Sequence, residues 1–410
     1  MPKKEEFVLK DSDPEFIKAA GVQPRGREYD AACAKKPGAI RIDDVLLGTK
    51  LACTAITDDN EETLAKVGKM NPWHIEALKM ITGSEEEAHK PLTHILDKHF
   101  NLKCDKILDL TGWSGGRPID TQGYIAHNDE IIVVSFRCTT SALDWMTNLA
   151  TTSSEWELDE DVAQGHSGVL SCFEGRCFVK GPKKPRVHTG FYNNILKTIP
   201  YFQEYVDPLL APDQPPRKLY VVGHSLGAGI STMATCYFLQ HHDWAKLPHK
   251  FINVSAGTPR SCKQSMADIM EAKLAELRPL DKAVVCRVVM NEDLVTKVPP
   301  PAIGYTHVGK LVFLTEDGYV LVGPKRSDSH IVDEKEMQEL CKANPQLIAL
   351  AADKEKEESQ ENMRKSKLQT EYEKMMAKIP SPIRDHCPDF YLAPLIKLYK
   401  RDNQAELPTQ

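Results

Sequence analysis

The most regular feature of the chain is a series of short apolar runs in its middle part, each ending in glycine or polar residues. They occupy 131–136, 218–225, 251–260 and 284–293. Runs this short and this apolar are typical of strands buried on both faces of a sheet. The stretch 228–242, between the second and third runs, has the length and composition of a helix. Strands that alternate with helices predict an α/β fold, a mostly parallel central sheet flanked by helices.

The two ends of the chain differ from this middle part. Between residues 1 and 115 apolar positions recur at helical spacing, and we predict a mostly helical N-terminal extension there. The positions available for its buried face are Leu64, Val67, Trp73, Ile75, Leu78 and Ile81. We assign residues 116–400 to a second unit built around the sheet. Opposite charges three or four positions apart in 333–379 predict a solvated helical insertion or, alternatively, a helix that binds a partner.

Composition narrows the class of protein. The 410 residues are 41% hydrophobic and 27% charged, with a formal net charge of −6, which is unlike a typical basic nucleic-acid binder. We therefore expect no nucleic-acid partner. The first residues contain no apolar leader, and no apolar run approaches the roughly 18 residues of a membrane span, so we expect a cytoplasmic protein. The eleven cysteines are then expected to be mostly buried, reduced thiols.

One short motif carries chemistry. The apolar run 218–222 leads into Gly-His-Ser-Leu-Gly, and the predicted helix follows. Gly223-x-Ser225-x-Gly227 in this setting is the pattern of a nucleophile elbow, a tight turn that projects the serine hydroxyl above the sheet. Side chains at the two glycines would collide with the neighbouring strand and helix. The alternative is a Gly-rich strand-to-helix turn without chemistry.

The stretch VVGHSLGAG around Ser225 resembles the nucleophile elbow of class 3 lipases, the fungal triglyceride lipase-like branch of the α/β hydrolases. Four further blocks resemble that family, in its order along the chain. They are VVSFRCTTSALDWMTNL (133–149), RVHTGFYNN (186–194), VVMNEDLVTKVPP (288–300) and GYTHVGK (304–310). The resemblance covers about residues 120–395. It implies the α/β-hydrolase fold and a serine hydrolase that cleaves esters.

The resemblance also implies a catalytic triad. Ser225 matches the nucleophile and Asp293 matches the acid, and the histidine should follow them in the chain. The histidines that remain are His307, His330 and His386. His386 lies in RDHCPDFYLAPL, which is similar to the family's D-H-x-x-x-Y-x-x-x-L ending with the last two positions offset by one. We favour His386, with His330 and His307 as the alternatives.

Two backbone donors should stabilise the negative charge of the tetrahedral intermediate. One is the amide of Leu226, directly after the nucleophile, and the resemblance implies that Thr139 supplies the other. The chain departs from the family here, because Arg137-Cys138-Thr139 stands where Arg-Gly-Thr is usual, with the cysteine in place of the glycine. If the glycine serves a turn with positive φ, a cysteine there would be strained.

The segment after the oxyanion residue forms an amphipathic lid in secreted fungal members of the family. Residues 141–156 occupy that place in this chain. Its apolar residues Leu143, Trp145, Met146 and Leu149 could face a lipid surface. Equally, Trp145 and Leu149 could be ordinary core contacts.

The leading hypothesis is therefore a serine hydrolase for carboxylic esters of lipids, with acylglycerols or phospholipids as substrates and a membrane or lipid-droplet surface as a contact. No histidine or cysteine group has metal-site spacing, and we expect no metal and no cofactor. The alternatives are a catalytically weak lipase-fold protein that binds lipid or protein, and a peptidase or non-lipid esterase on the same fold.

Overall fold

The structure is a computed structural model that describes residues 37–57, 72–114, 117–138, 152–157, 184–315, 320–323, 376–379 and 381–404. Several predictions fall outside these ranges. They concern the apolar positions Leu64 and Val67, the oxyanion candidate Thr139, the lid candidates Leu143, Trp145, Met146 and Leu149, the alternative base His330, and residues 333–375 of the charged insertion.

An eight-stranded sheet organises the described part of the chain. Its strands, in their order across the sheet, are β1 (Lys103–Ser114), β2 (Arg117–His127), β3 (Ile131–Phe136), β6 (Lys218–His224), β7 (Lys250–Ala256), β9 (Ala283–Met290), β11 (Lys310–Leu314) and β12 (Val320–Gly323). From β3 to β11 the neighbouring strands pair in parallel, and the pairs at both edges are antiparallel. The predicted mostly parallel sheet is confirmed.

A second, smaller sheet of the described residues consists of β4 (Ser153–Glu155), β5 (Arg186–His188), β8 (Cys262–Lys263) and β10 (Tyr305–Thr306). Its strands pair in the order β10-β8-β5-β4. The helices of the described residues are α1 (Ile42–Thr54), α2 (Pro72–Thr82), α3 (Glu85–Ala88), α4 (Leu92–Phe100), α5 (Thr189–Tyr205), α6 (Leu226–His241), α7 (Gln264–Leu277), α8 (Ser381–Arg384) and α9 (Pro388–Gln404). No helix among them is both long enough and apolar enough to cross a membrane.

Helices cover both faces of the sheet, so its central strands are apolar at almost every position. In β6, Tyr220 and Val222 join a core formed with α1 and α9. The alternate residues Leu219 and Val221 join a second core formed with α5, α6 and α7. This arrangement explains the short apolar runs of the sequence, and it confirms the predicted α/β-hydrolase fold.

Helix α1 is fixed to the sheet by polar groups as well as by apolar packing. The Asp44 carboxylate accepts hydrogen bonds from the hydroxyl of Tyr220 at 2.5 Å, the Lys218 ammonium at 2.9 Å and the Arg41 guanidinium at 3.0 Å. Burial disfavours the carboxylate, but the charges of Lys218 and Arg41 outweigh burial and lower the pKa of Asp44 below its usual value. Asp44 therefore ties α1 to β6 in its charged form.

The N-terminal elements share the core of the sheet. Apolar residues of α1 belong to the same cluster as β6, β7 and α9, and β1, which begins at Lys103, pairs with β2 along its length. The domain boundary predicted at residue 115 stays a prediction. Of the elements before this residue, α1 contacts the sheet and β1 is one of its strands.

We expect Asp44→Asn to lower the free energy of unfolding at pH 7 by about 1–3 kcal/mol, because it removes a buried charge from two cations. Since folding lowers the pKa of Asp44, its contribution is present above the unfolded pKa of about 3.9 and is lost as pH falls through the folded value. Urea denaturation between pH 3 and pH 7 should show wild type and variant converging at low pH. Glu86→Gln, on a carboxylate that is 83% exposed, is the control. A pH-independent gap would contradict this role.

Candidate active site

Ser225 occupies the tight turn between β6 and α6. Its φ of 58° and ψ of −124° lie outside the region that non-glycine residues ordinarily adopt. A Cβ at Gly223 would come within 2.3 Å of the Gly227 backbone, and a Cβ at Gly227 within 2.2 Å of the carbonyl oxygen of Phe136. The close approach of strand, turn and helix therefore requires both glycines, as a nucleophile elbow does.

His386 lies between Ser225 and Asp293 and contacts both. Its Nε2 is 2.8 Å from the Ser225 hydroxyl oxygen, and its Nδ1 is 2.8 Å from Oδ2 of Asp293. A carboxylate can only accept, so Nδ1 carries the proton, and Nε2 of the neutral ring accepts from the serine. The structure thus brings together the three residues that the sequence put forward as nucleophile, acid and preferred base.

These three side chains come from distant parts of the chain. Ser225 follows β6, and Asp293 lies in the turn after β9, so both stand at the carboxyl edge of the parallel strands. His386 lies in the turn between α8 and α9. The alternative base His307 is buried, and its Nε2 instead contacts the carbonyl oxygen of Thr296 at 2.9 Å.

Three donors fix the Asp293 carboxylate, which is fully buried. Besides His386, the hydroxyl of Tyr391 donates to Oδ2 at 2.5 Å, and the backbone N–H of Val295 donates to Oδ1 at 2.8 Å. Burial, together with the charge of Asp293, raises the pKa of Tyr391 well above its usual range, so that the phenol keeps its proton and donates. The carboxylate cannot rotate without losing one of these bonds.

A second buried carboxylate joins the turn of His386 to the turn of Asp293. Oδ2 of Asp385 accepts from the side-chain amide of Asn291 at 3.0 Å and from the backbone N–H of Glu292 at 3.2 Å. Asn291 itself has a positive φ of 38°. Asp385, the residue before His386, is thus bonded to both residues that precede Asp293.

The ring of His224 supports the ring of His386. The two imidazoles stack with centroids 4.9 Å apart and an angle of 29° between their planes, and Tyr391 packs edge-on against His224 at 5.5 Å. Burial, and then the neighbouring His386, lowers the pKa of His224 well below its usual range. His224 is therefore a neutral packing surface for His386.

Cys138 does not have the strained backbone that the sequence raised as a concern. Among the described non-glycine residues, positive φ occurs at Asn101, Ser225, Asp281 and Asn291, and Cys138 is not one of them. Its side chain is buried. The cysteine therefore fits this position without the left-handed conformation that would favour glycine.

The backbone N–H of Leu226 lies at the start of α6, where unsatisfied N–H groups and the helix dipole favour negative charge. The second predicted donor, Thr139, lies outside the described residues. Among the described residues, no group of three or more His, Cys, Asp or Glu side chains is arranged to hold a metal ion. The described part of the site contains a serine, an imidazole, a carboxylate and a helix N-terminus.

Sequence reasoning did not find Asp385, Asn291 or Gly257 as parts of this site. Gly257 has φ of 60°, and a Cβ there would come within 3.0 Å of Cε1 of His386 and 3.1 Å of Oδ2 of Asp293. The available signal was position, since Gly257 directly follows β7 at the same sheet edge as Ser225.

Comparison with known proteins gives a family match in the same region. Residues 133–302 match the family model Lipase_3, described as Lipase (class 3). No curated protein matches the chain.

Several solved structures are similar to the chain. Rhizomucor miehei triacylglyceride lipase shares 18% identity over 71% of this chain and 87% of that chain, with a TM-score of 0.43. Lipase from Rhizopus microsporus var. chinensis shares 18% identity over 80% of this chain and 92% of that chain, with a TM-score of 0.45. Mono- and diacylglycerol lipase from Aspergillus oryzae shares 17% identity over 71% of this chain and 88% of that chain, with a TM-score of 0.46.

We expect Gly257→Ala to slow the reaction of Ser225 with a fluorophosphonate about tenfold, because the new methyl group must push His386 or Asp293 aside. Gly304→Ala is the matched control. Its φ of 80° imposes a similar backbone penalty, but the nearest atom to the new Cβ would be 3.9 Å away. Labelling rates and melting temperatures of both variants separate crowding from strain. If the two variants were labelled at equal rates, the methyl group added at position 257 would not be crowding His386 and Asp293, and the prediction would be wrong.

Proposed function

We propose that Ser225, His386 and Asp293 form a catalytic triad that cleaves an ester bond of a lipid. The match of residues 133–302 to the family model of class 3 lipases supports this proposal. The observation that carries this proposal is the position of His386, whose two ring nitrogens lie 2.8 Å from the serine hydroxyl and from the carboxylate. A base within hydrogen-bond reach of the nucleophile, oriented by a third group, is the arrangement that activates a serine.

In the proposed mechanism, Ser225 Oγ attacks the acyl carbonyl carbon while Nε2 of His386 takes the hydroxyl proton. Asp293 keeps the second proton on Nδ1 and stabilises the imidazolium that forms. The backbone N–H of Leu226 donates a hydrogen bond to the oxyanion, and by our prediction the N–H of Thr139 does so as well. His386 then gives its proton to the departing alcohol, which leaves an ester between Ser225 and the acyl group.

Deacylation repeats these steps with water as the nucleophile. His386 takes a proton from the water, whose oxygen attacks the acyl carbon, and the proton then returns to Ser225 Oγ as the carboxylic acid is released. No cofactor is required by this scheme. We propose an acylglycerol or a phospholipid as the substrate class, met at a membrane or lipid-droplet surface.

The alternative, a catalytically weak lipase-fold protein that binds lipid or protein, has two reasons in the sequence: Cys138 and the charged segment 333–379. Cys138 has no positive φ, so the first reason loses its physical basis, and residues 333–375 of the second lie outside the described residues. The hydrogen-bonded serine and imidazole also favour catalysis over binding alone, because a binding module has no need of an aligned proton acceptor.

We expect Ser225→Ala to lower kcat/KM for long-chain p-nitrophenyl esters by about 10⁴-fold or more, because the nucleophile is lost. Thr232→Ala is the control: it removes a hydroxyl that donates to the carbonyl oxygen of Ala228 in the same helix α6, and its activity should stay near wild type. Comparing acyl chains of two to sixteen carbons would distinguish a lipase from a short-chain esterase. Equal activity of Ser225→Ala and wild type would exclude this mechanism.

A further inference from the structure

His386 lies on a short, self-contained piece of backbone formed by α8 and the turn after it. The N–H of Asp385 donates to the carbonyl oxygen of Ser381 at 2.8 Å, and the N–H of His386 donates to that of Ile383 at 3.1 Å. These bonds make Asp385 and His386 parts of one compact turn. A displacement of the Asp385 backbone therefore also displaces the imidazole.

The turn that faces this segment, residues 291–293, is anchored to the large sheet. It directly follows β9. The N–H of Asn291 donates to the carbonyl oxygen of Leu314 in β11 at 2.8 Å, and the N–H of Asp293 donates to that of Met290 in β9 at 2.9 Å. We call residues 291–293 the receiving turn, because its position is set by two neighbouring strands.

Asp385 and Ser381 both bond to the receiving turn. Oδ2 of Asp385 accepts from the side-chain amide of Asn291 at 3.0 Å and from the N–H of Glu292 at 3.2 Å. The Ser381 hydroxyl donates to Oε2 of Glu292 at 3.0 Å. Asp385 is fully buried, whereas Ser381 is half-buried. Water can less readily replace a lost bond in the interior, so Asp385 is the stronger of the two links.

The receiving turn holds the segment on both sides of the base. Asp385 comes one residue before His386, and Tyr391, five residues after it, donates to Oδ2 of Asp293 at 2.5 Å. Loss of Asp385 would free the segment on one side while Tyr391 still holds the other. The ring would then stay near Ser225 without keeping the 2.8 Å contact of its Nε2 with the hydroxyl. A partial loss of rate is expected from a shift of this kind.

The two oxygens of Asp385 have different neighbours. Oδ1 lies 3.5 Å from a guanidinium nitrogen of Arg384, and Oδ2 accepts both bonds from the receiving turn. The donors of those bonds, a side-chain amide and a backbone N–H, are neutral groups that need an acceptor rather than a charge. An asparagine at position 385 would keep such an acceptor and lose the charge, so the two possible contributions of Asp385 can be separated.

We propose that Asp385 is a positioning residue for the catalytic base: the bonds that its Oδ2 accepts from Asn291 and Glu292 set the position of the His386 ring relative to Ser225. Its acceptor oxygen, and not its charge, carries this role. The inference rests on the proposed function, because it assigns Asp385 a part in the same hydrolysis.

The first test removes the acceptor and then restores it without the charge. Asp385→Ala should lower kcat for a p-nitrophenyl ester about tenfold and leave KM within about twofold, because a misplaced base slows the chemical step and not binding. Asp385→Asn should stay within about threefold of wild type. Leu78→Ala, which loses packing with Ala88 and Ile95 in the N-terminal helices, should lower the melting temperature without this loss of kcat.

A double-mutant cycle tests whether Asp385 acts through the imidazole. The rate that remains in His386→Ala should not fall further when Asp385→Ala is added, because no ring is left to position. A structural role of Asp385 elsewhere in the site would lower that remaining rate as well.

A variant of the partner approaches the same bond from the other side. Asn291→Gly removes the amide donor and tolerates the φ of 38° at this position. It should lower kcat about threefold, less than Asp385→Ala does, because the N–H of Glu292 still donates to Asp385. If Asp385→Ala does not fold, Asn291→Gly and Asp385→Asn decide the matter: the inference requires the first to lose kcat and the second to keep it.

Three results would overturn the inference: a folded Asp385→Ala variant with wild-type kcat, an equal loss in Asp385→Asn, or a full further loss in the His386→Ala background. In each of these cases Ser225→Ala would still be inactive, and the proposed function would stand. The proposed function fails in a different way, since wild type and Ser225→Ala would then hydrolyse the ester equally, and the role of Asp385 would fall with it.

Discussion

The structure depends on one strained residue. Ser225 has a positive φ without being glycine, a conformation that costs about 1–3 kcal/mol and persists only where the surroundings impose it. They do so from both sides. The N–H of Ser225 donates to the carbonyl oxygen of Ala256 in the neighbouring strand at 3.0 Å, and its own carbonyl oxygen accepts from Ala228 in the helix that follows. The hydroxyl is therefore held in place before any substrate is present.

The other residues of the site converge on this turn because parallel strands end at one edge. Ser225, Gly257 and the turn of Asp293 follow β6, β7 and β9, which are adjacent in the sheet. His386 comes from outside this series, and two buried groups bring it into line: Asp385 bonds to the turn of Asp293, and Tyr391 bonds to Asp293 itself. Three donors bond to the buried carboxylate of Asp293, so its burial leaves neither oxygen without a hydrogen-bond partner.

Local signals explain what the sequence could predict. The elbow needs glycine two positions before and after the serine, and strands covered on both faces need continuous apolar runs. Ser225 and the central strands could therefore each be predicted from a few neighbouring residues. Asp293 and His386 were proposed through resemblance, and their roles stay predictions. Asp385 had no such signal, because its role depends on Asn291, which is 94 positions away in the sequence. For Gly257 the signal was its position directly after β7. The sequence did not predict the strand β1 either, because charged residues interrupt its apolar positions.

The N-terminal helices contribute to the packing of the rest of the fold: α1 packs against the sheet, and α2 packs against α1 and α9. Without α1, the face of the sheet that carries Tyr220, Val222 and Val254 would lose much of its cover, and the hydroxyls of Tyr124 and Ser135 would lose their shared acceptor, the carbonyl oxygen of Leu51. Without α2, the thiol of Cys138 would lose His74. Buried polar groups left without partners are costly. The helices α1 and α2 therefore supply partners for buried polar groups of the sheet and for the thiol of Cys138.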